Sequence, residues 1–366
     1  MSDDSSSATP KPLADAPPPS QASAPAANPA AHGSGFDGWI RSNPWHPRIA
    51  PFFCWIIFLA ITGFLPESLA PAQPLIYTLQ CVATVWLLWT YRKLTPELTL
   101  RFHWLAIPTG VFLLIAWVVL AYAMAGELGY RWQQFTAGSL KGAFGPFPYA
   151  ELGLTPGRFG PELDAAGQVL PHDTQLLIQS HPALGYLSLG LRLLGMSLIV
   201  PLFEELFIRS AMLRGLQRPG PTFRGLLQFA SDLPVVGDAI ARSKAGQQAN
   251  AQPSQLTAQL ESVPVGMISV FAIAASTFVF MLSHAIRDWP GCIACGVVWC
   301  LLLWWVNRPR PAKGETWESI RIRPGWADDS ASNRGRLGLG PVSWSHGITN
   351  ALLWGYTLAW NDWRFL

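Results

Sequence analysis

The chain has 366 residues, of which only 13% are Asp, Glu, Lys or Arg and 50% are hydrophobic. Soluble domains carry about 25% charged residues, so this composition excludes an ordinary soluble enzyme and indicates an integral membrane protein. The formal net charge of +3 is too small for the basic surface that nucleic-acid binding requires, and we expect no nucleic-acid partner.

The first 45 residues form a tail rich in Pro, Ala and Ser, and residues 1 to about 35 contain almost nothing that a folded protein could bury. We therefore expect the tail to be disordered. The N-terminal transmembrane helices follow at 46–126, then an irregular loop at 127–180. A catalytic core at 181–366 contains a polar insertion at 216–263, which includes a segment that we expect to be flexible.

Seven apolar runs have roughly the length of a bilayer-spanning helix. They lie at 48–65, 74–91, 103–125, 182–203, 264–285, 290–306 and 339–361. The fourth run stays compatible with a helix to about residue 217, so it can be read as two helices. The predicted fold class is all-α, a polytopic membrane protein whose seven or eight transmembrane helices enclose a polar intramembrane site. Lys and Arg concentrate in alternate connections, which places the N-terminus in the cytoplasm.

Two adjacent carboxylates, Glu204 and Glu205, interrupt the fourth run. Glu205 and Arg209 are four residues apart, so they share a helix face and can neutralise each other. Glu204 is rotated by about 100° from Glu205 and has Ile208 at the position where a basic partner would stand. An unpaired buried carboxylate is a candidate general base. The alternative is that both acids serve one ion network around Arg209.

Polar residues also interrupt two later runs. His284 ends the fifth run, and His346 and Asn350 lie four residues apart in the last one. Alone, such residues are often interfacial or form hydrogen bonds between helices. Together with Glu204 they could hydrolyse an amide: Glu204 deprotonates a water that His284 holds, and His346 and Asn350 donate hydrogen bonds to the oxyanion, each worth about 3–4 kcal/mol.

Five cysteines fall within apolar runs, and Cys292 and Cys295 have the spacing of metal ligands. Their apolar helical setting favours packing over a zinc site. The sequence contains no HExxH, the usual zinc-protease helix.

Three motifs, EExxxR at 204–209, FxxxH at 280–284 and HxxxN at 346–350, occur in this order on successive apolar runs. They resemble the CPBP family, the CAAX proteases and bacteriocin-processing enzymes of the Abi type, over roughly residues 180–361. The resemblance implies an intramembrane endopeptidase that uses a glutamate-activated water and no cofactor. It places the catalytic positions on Glu204, His284, His346 and Asn350, and the supporting ones on Glu205 and Arg209.

The segments RIAPFFCWIIFLAITGF, YRKLTPEL and HGITNALLWGYTLAWNDW are similar to a bacterial branch of CAAX-protease-related proteins that is associated with exosortase systems. This similarity implies a multi-pass protein of the bacterial inner membrane. The expected partners are a membrane-associated or lipidated protein substrate, the lipid bilayer and proteins of an exosortase system.

Three alternatives stay open. Zinc could be bound by Glu204 and the two histidines, the protein could be a non-catalytic membrane scaffold or a bacteriocin-immunity-type binding protein, or it could be a transporter. One feature departs from the family pattern: a strict count of seven spans puts Glu204 near the cytoplasmic side and His284 near the opposite end of its span. Either the turn at 286–289 dips into the membrane, or the fourth run is two helices.

Overall fold

A computed structural model describes residues 35–64, 72–124, 173–217, 223–233, 237–284, 288–308 and 337–363. Within these ranges all regular secondary structure is helical, which confirms the predicted all-α class. Most of the predicted tail and of the 127–180 loop lies outside the described residues, as does most of the connection at 307–337.

The helices, in chain order, are α1 (Phe36–Ser42), α2 (His46–Gly63), α3 (Gln73–Thr90), α4 (Ala106–Met124), α5 (Asp173–Ser180), α6 (Pro182–Gly215), α7 (Phe223–Ser231), α8 (Gly237–Arg242), α9 (Lys244–Asn250), α10 (Gln255–Ser262), α11 (Val270–Leu282), α12 (Trp289–Asn307) and α13 (Gly340–Trp360). Helix α1 falls inside the predicted tail. Its Ile40 is fully buried and its Asp37 and Arg41 form an ion pair of 2.9 Å, so the end of the tail, unlike the prediction, is ordered.

Helix α6 is one continuous helix of 34 residues, about 51 Å long at 1.5 Å per residue. The reading of the fourth run as two separate helices is therefore wrong. Two segments of α6, Gly195–Ile199 and Leu206–Met212, have π-helical hydrogen bonding. Helix α6 lies at the centre of the bundle, where it packs against α2, α3, α11 and α13.

Helices α11 and α12 pack against each other as a hairpin, and His284 lies between them in the sequence. The start of the hairpin lies against its end, since a Cβ on Gly266 would be 2.6 Å from the Cβ of Asn307. Helix α11 has only 13 residues, about 20 Å, whereas crossing a bilayer core takes about 30 Å. Helix α11 ends at Leu282, and His284 lies two residues further on beside the start of α12, where its carbonyl accepts a hydrogen bond from the indole N–H of Trp289 at 3.4 Å. The turn at 286–289 lies partly outside the described residues, and its dip into the membrane stays a prediction.

Among the residues that the structure describes, three segments are long and apolar enough to cross a membrane: Ala106–Ala123, Pro182–Gly215 and Trp289–Asn307. The first is the clearest case, because only 17% of it is buried inside the protein. A helix that is apolar on all sides needs an apolar surrounding such as a lipid bilayer. Seven or eight spans stay a prediction, since α3 and α13 are more polar and α2 and α11 are shorter.

The insertion between α6 and α11 is folded. Helices α7 to α10 pack together, and the buried side-chain amide of Gln228 donates to the carbonyl oxygens of Ala249 and Gln252 at 2.8 and 2.9 Å. Ser243 and Ser254 cap the two helices that follow them. The polar composition predicts a flexible segment here, whereas the structure shows packed helices. Helix caps and the hydrogen bonds of one buried glutamine hold these helices together in place of a large apolar core.

Candidate active site

Helix α6 carries Glu204 and Glu205 into the interior between its two π segments. Pro201 has no N–H and cannot donate to the carbonyl of Ser197, four residues earlier, and the first π segment lies over this gap. Such π bulges inside α-helices are frequent at functional sites, because they change the direction of the side chains that follow.

Helix α13 approaches α6 most closely at Gly347. A Cβ there would lie 2.3 Å from the carbonyl oxygen of Ser197, so a glycine is required for this packing distance. Small residues allow membrane helices to approach in this way. The contact places the preceding residue, His346, directly beside the two glutamates.

Glu205 is fully buried and has two partners. Its Oε2 forms an ion pair of 3.2 Å with Nε of Arg209, and its Oε1 lies 2.9 Å from Nδ1 of His346. Arg209 is also fully buried, and its guanidinium lies over the rings of Phe280 and Trp299 at 5.0 and 5.3 Å. The predicted pairing of Glu205 with Arg209 is therefore present.

Glu204 lies on the other side of the same histidine. Its Oε2 is 3.7 Å from Nε2 of His346, too far for a hydrogen bond. A carboxylate paired with Arg209 is an acceptor, so we assign the Nδ1 proton of His346 to the bond with Glu205. This leaves Nε2 to accept or share a proton on the side of Glu204. The ring is held in place by stacking on Trp299, at 4.2 Å between centroids.

His284 and Asn350 complete the predicted set. Nδ1 of His284 donates to the carbonyl of Phe280 at 2.9 Å, which leaves its Nε2 as an acceptor. The side-chain nitrogen of Asn350 donates to the carbonyl of Met196 at 2.8 Å. Since an amide carries two N–H groups, this bond uses only one of them.

One cavity of about 180 Å³ collects all four predicted catalytic residues. Its lining combines these polar groups with aromatic and aliphatic side chains. It consists of Glu204, His284, His346, Asn350, Asp288, Thr349, Trp117, Trp299, Trp354, Phe280, Met196, Val200 and Leu353. Asp288, Thr349 and Trp354 also line the cavity and were not among the predicted site residues. Trp354 follows Asn350 by four residues and so shares its helix face.

A buried charge cluster that the sequence analysis missed lies beside the site. Glu97 accepts hydrogen bonds from Arg48, at 2.6 and 3.0 Å, and from Ser210, and Arg214 lies 3.5 Å away. Burial raises the pKa of Glu97, but the charges of Arg48 and Arg214 and these hydrogen bonds outweigh it, so the pKa lies below its usual value. The cluster ties the loop after α3 to α2 and α6.

In the described ranges, no three His, Cys, Asp or Glu side chains are grouped so that they could hold a metal ion. Cys292 and Cys295 are buried free thiols in the apolar core. In comparisons with known proteins, no family model, no curated protein and no solved structure matches this chain.

Proposed function

We propose that the protein is a membrane-embedded endopeptidase of the CPBP type and that the cavity at Glu204 is its active site. One observation carries the proposal: of the two adjacent glutamates, Glu205 forms an ion pair with Arg209 at 3.2 Å and lies 2.9 Å from Nδ1 of His346, whereas Glu204 lines the cavity with Nε2 of His346 3.7 Å away, beyond hydrogen-bond distance. A purely structural network around one arginine needs one carboxylate.

The proposed reaction is addition of water to a peptide carbonyl. Glu204 accepts a proton from the water while the water oxygen bonds to the carbonyl carbon. The π electron pair of the C=O bond moves to the carbonyl oxygen, which becomes the oxyanion. When the C–N bond breaks, the proton passes to the leaving amine, so that Glu204 is regenerated. His346 shares this proton path through Nε2, and His284 holds the water with its free nitrogen.

The oxyanion role that the sequence assigned to His346 fits this geometry less well. Both ring nitrogens of His346 face carboxylates, at 2.9 Å for Glu205 and 3.7 Å for Glu204. The remaining N–H of Asn350 is better placed to donate to an oxyanion, because its other N–H is already fixed on Met196. In this proposal Asn350 keeps its predicted role and His346 takes part in proton transfer.

The substrate class we propose is a membrane-associated or lipidated protein, in keeping with the apolar exterior of α4. Most of the ion pairs and arginines described above lie at one end of the bundle, near Arg48, Glu97 and Arg214. By the positive-inside rule this end faces the cytoplasm. Seven or eight spans in a bacterial inner membrane, and a role beside an exosortase system, belong to the same proposal.

The test compares terminal peptides of membrane proteins from cells that carry the wild type, Glu204→Gln or Asp238→Asn at equal abundance. Asp238 is an exposed acid of the insertion, so its variant controls for the loss of one negative charge. We expect cleaved termini to disappear only with Glu204→Gln, since loss of a general base lowers rates roughly 10²–10⁴-fold. Termini that persist in all three strains would support a scaffold or immunity-type binding role instead.

A further inference from the structure

One indole N–H at the cavity, that of Trp354, has no acceptor in the part of the chain that the structure describes. Trp354 lines the cavity with only 3% of its surface exposed, and no described residue accepts a hydrogen bond from its Nε1. An indole nitrogen can only donate, and a buried donor without a partner is unfavourable. Such exceptions in a folded protein call for an explanation in terms of function or of a bound group.

The neighbouring donors at the cavity are already engaged. Trp299 donates its indole N–H to Oγ of Ser345 at 3.1 Å, and Asn350 has given one of its N–H groups to Met196. His346 is held between two carboxylates. Trp354 is thus a buried cavity donor with its hydrogen-bonding capacity intact.

Trp354 lies on the same face of α13 as two residues of the proposed active site. His346, Asn350 and Trp354 follow one another at intervals of four residues, so their side chains lie along one helix face, and all three line the cavity that Glu204 also lines. A peptide placed with its carbonyl carbon near Glu204 would have its carbonyl oxygen available to donors on this face of α13.

We propose that the indole N–H of Trp354 donates a hydrogen bond to the carbonyl oxygen of the scissile peptide bond, together with Asn350. The inference rests on the proposed peptidase function and adds a catalytic donor to it. As the water adds, negative charge grows on that oxygen, and a fixed donor in a site of low dielectric constant stabilises it more than it stabilises the uncharged carbonyl. No proton is transferred from the indole.

The experiment uses the full-length protein and a synthetic peptide that spans a cleavage site found in the Glu204→Gln comparison. Trp354→Phe removes the N–H together with part of the ring. A second protein carries benzothienylalanine at position 354, which replaces the N–H by sulfur and keeps the bicyclic shape. The matched control is Trp344→Phe, because Trp344 lies on the same helix and donates to the carbonyl of Leu100 at 3.0 Å but does not line the cavity.

We expect both changes at position 354 to lower kcat about 10²-fold, the usual effect of removing one oxyanion donor, with little change in KM. Trp344→Phe should leave both constants unchanged. If the benzothienyl protein keeps the wild-type kcat, or if only KM rises, the inference is overturned while the peptidase function stands. If no cleavage depends on Glu204, the proposed function fails and the inference falls with it.

Discussion

Removal of the charge of Glu205 should destabilise the protein far more than removal of the charge of Glu204, although the two residues are neighbours. Glu205 and Arg209 are both fully buried, and the carboxylate is the acidic partner of this guanidinium at 3.2 Å. In Glu205→Gln the arginine keeps its charge inside an apolar bundle. Breaking a buried ion pair on one side costs about 3–5 kcal/mol, and we expect a loss of that size.

Glu204→Gln should cost less than about 1 kcal/mol. Glutamine has the same shape as glutamate, and the nearest charged or titratable partner, His346, is 3.7 Å away, beyond hydrogen-bond distance. A double variant, Glu205→Gln with Arg209→Met, should recover most of the lost stability, because replacing both members of a buried pair with uncharged side chains is often neutral or stabilising.

Thermal and denaturant-induced unfolding of the purified protein in detergent measures these differences. The order we expect is wild type close to Glu204→Gln, then the double variant, then Glu205→Gln. Equal losses for the two single glutamine variants would refute the reasoning, since both acids would then be structural and Glu204 would have no separate role. A loss below 1 kcal/mol for Glu205→Gln would show that Arg209 finds other compensation.

The remaining predictions concern packing and charge around the site. Gly347→Ala should lower activity and stability, the latter by about 1–3 kcal/mol, because the new methyl group would meet the Ser197 carbonyl at 2.3 Å; unfolding curves and cleavage assays check this, and an unimpaired variant would contradict it. Glu97→Gln should lower the free energy of unfolding by about 3–5 kcal/mol, because it leaves the buried Arg48 and Arg214 without their acidic partner. Raised salt should not restore this stability in unfolding experiments, because buried charges are screened little. Burial raises the pKa of Asp232 to about 6, above its unfolded value near 3.9. The stability that this acid contributes is therefore greatest below pH 4 and is lost as the pH rises through 6. Asp232→Asn should remove this pH dependence, worth about 1–2 kcal/mol after allowance for solvent screening, and an unaltered pH profile of unfolding would contradict it.

The sequence was sufficient to find four polar residues of the cavity because helix periodicity is local. A histidine and an asparagine four residues apart share a face whatever packs against it, and a carboxylate in an apolar run has few reasons to be there. The structure places Glu204, His284, His346 and Asn350 on one cavity. Their catalytic roles stay predictions.

The bounds of the helix before His284 could not be predicted from hydropathy. The apolar run begins at 264, but the helix begins only after Ser269, whose side chain caps it by accepting a hydrogen bond from the N–H of Ala272. This cap shortens the helix to 13 residues, less than a membrane crossing. A count of apolar residues treats 264–285 as one span and misses the cap.

The charge cluster at Glu97 left no signal in the sequence because its partners come from distant segments. Arg48 and Arg214 lie 49 and 117 residues away along the chain, and each looks like an ordinary basic residue at the end of an apolar run. Only the packing of α2 against α6 brings them to Glu97. Long-range pairs of this kind have no spacing rule comparable to i, i+4.

Two buried networks meet on consecutive residues of α6. Arg209 pairs with Glu205, and Ser210 donates to Glu97 on another side of the helix, in keeping with the rotation of about 100° between neighbours. Both residues belong to the second π segment, and Arg48 of α2 also donates to the hydroxyl of Ser210 at 3.1 Å. Helix α2 is therefore bonded directly to the helix that carries the site, even though the motifs that resemble a peptidase family are confined to the C-terminal half.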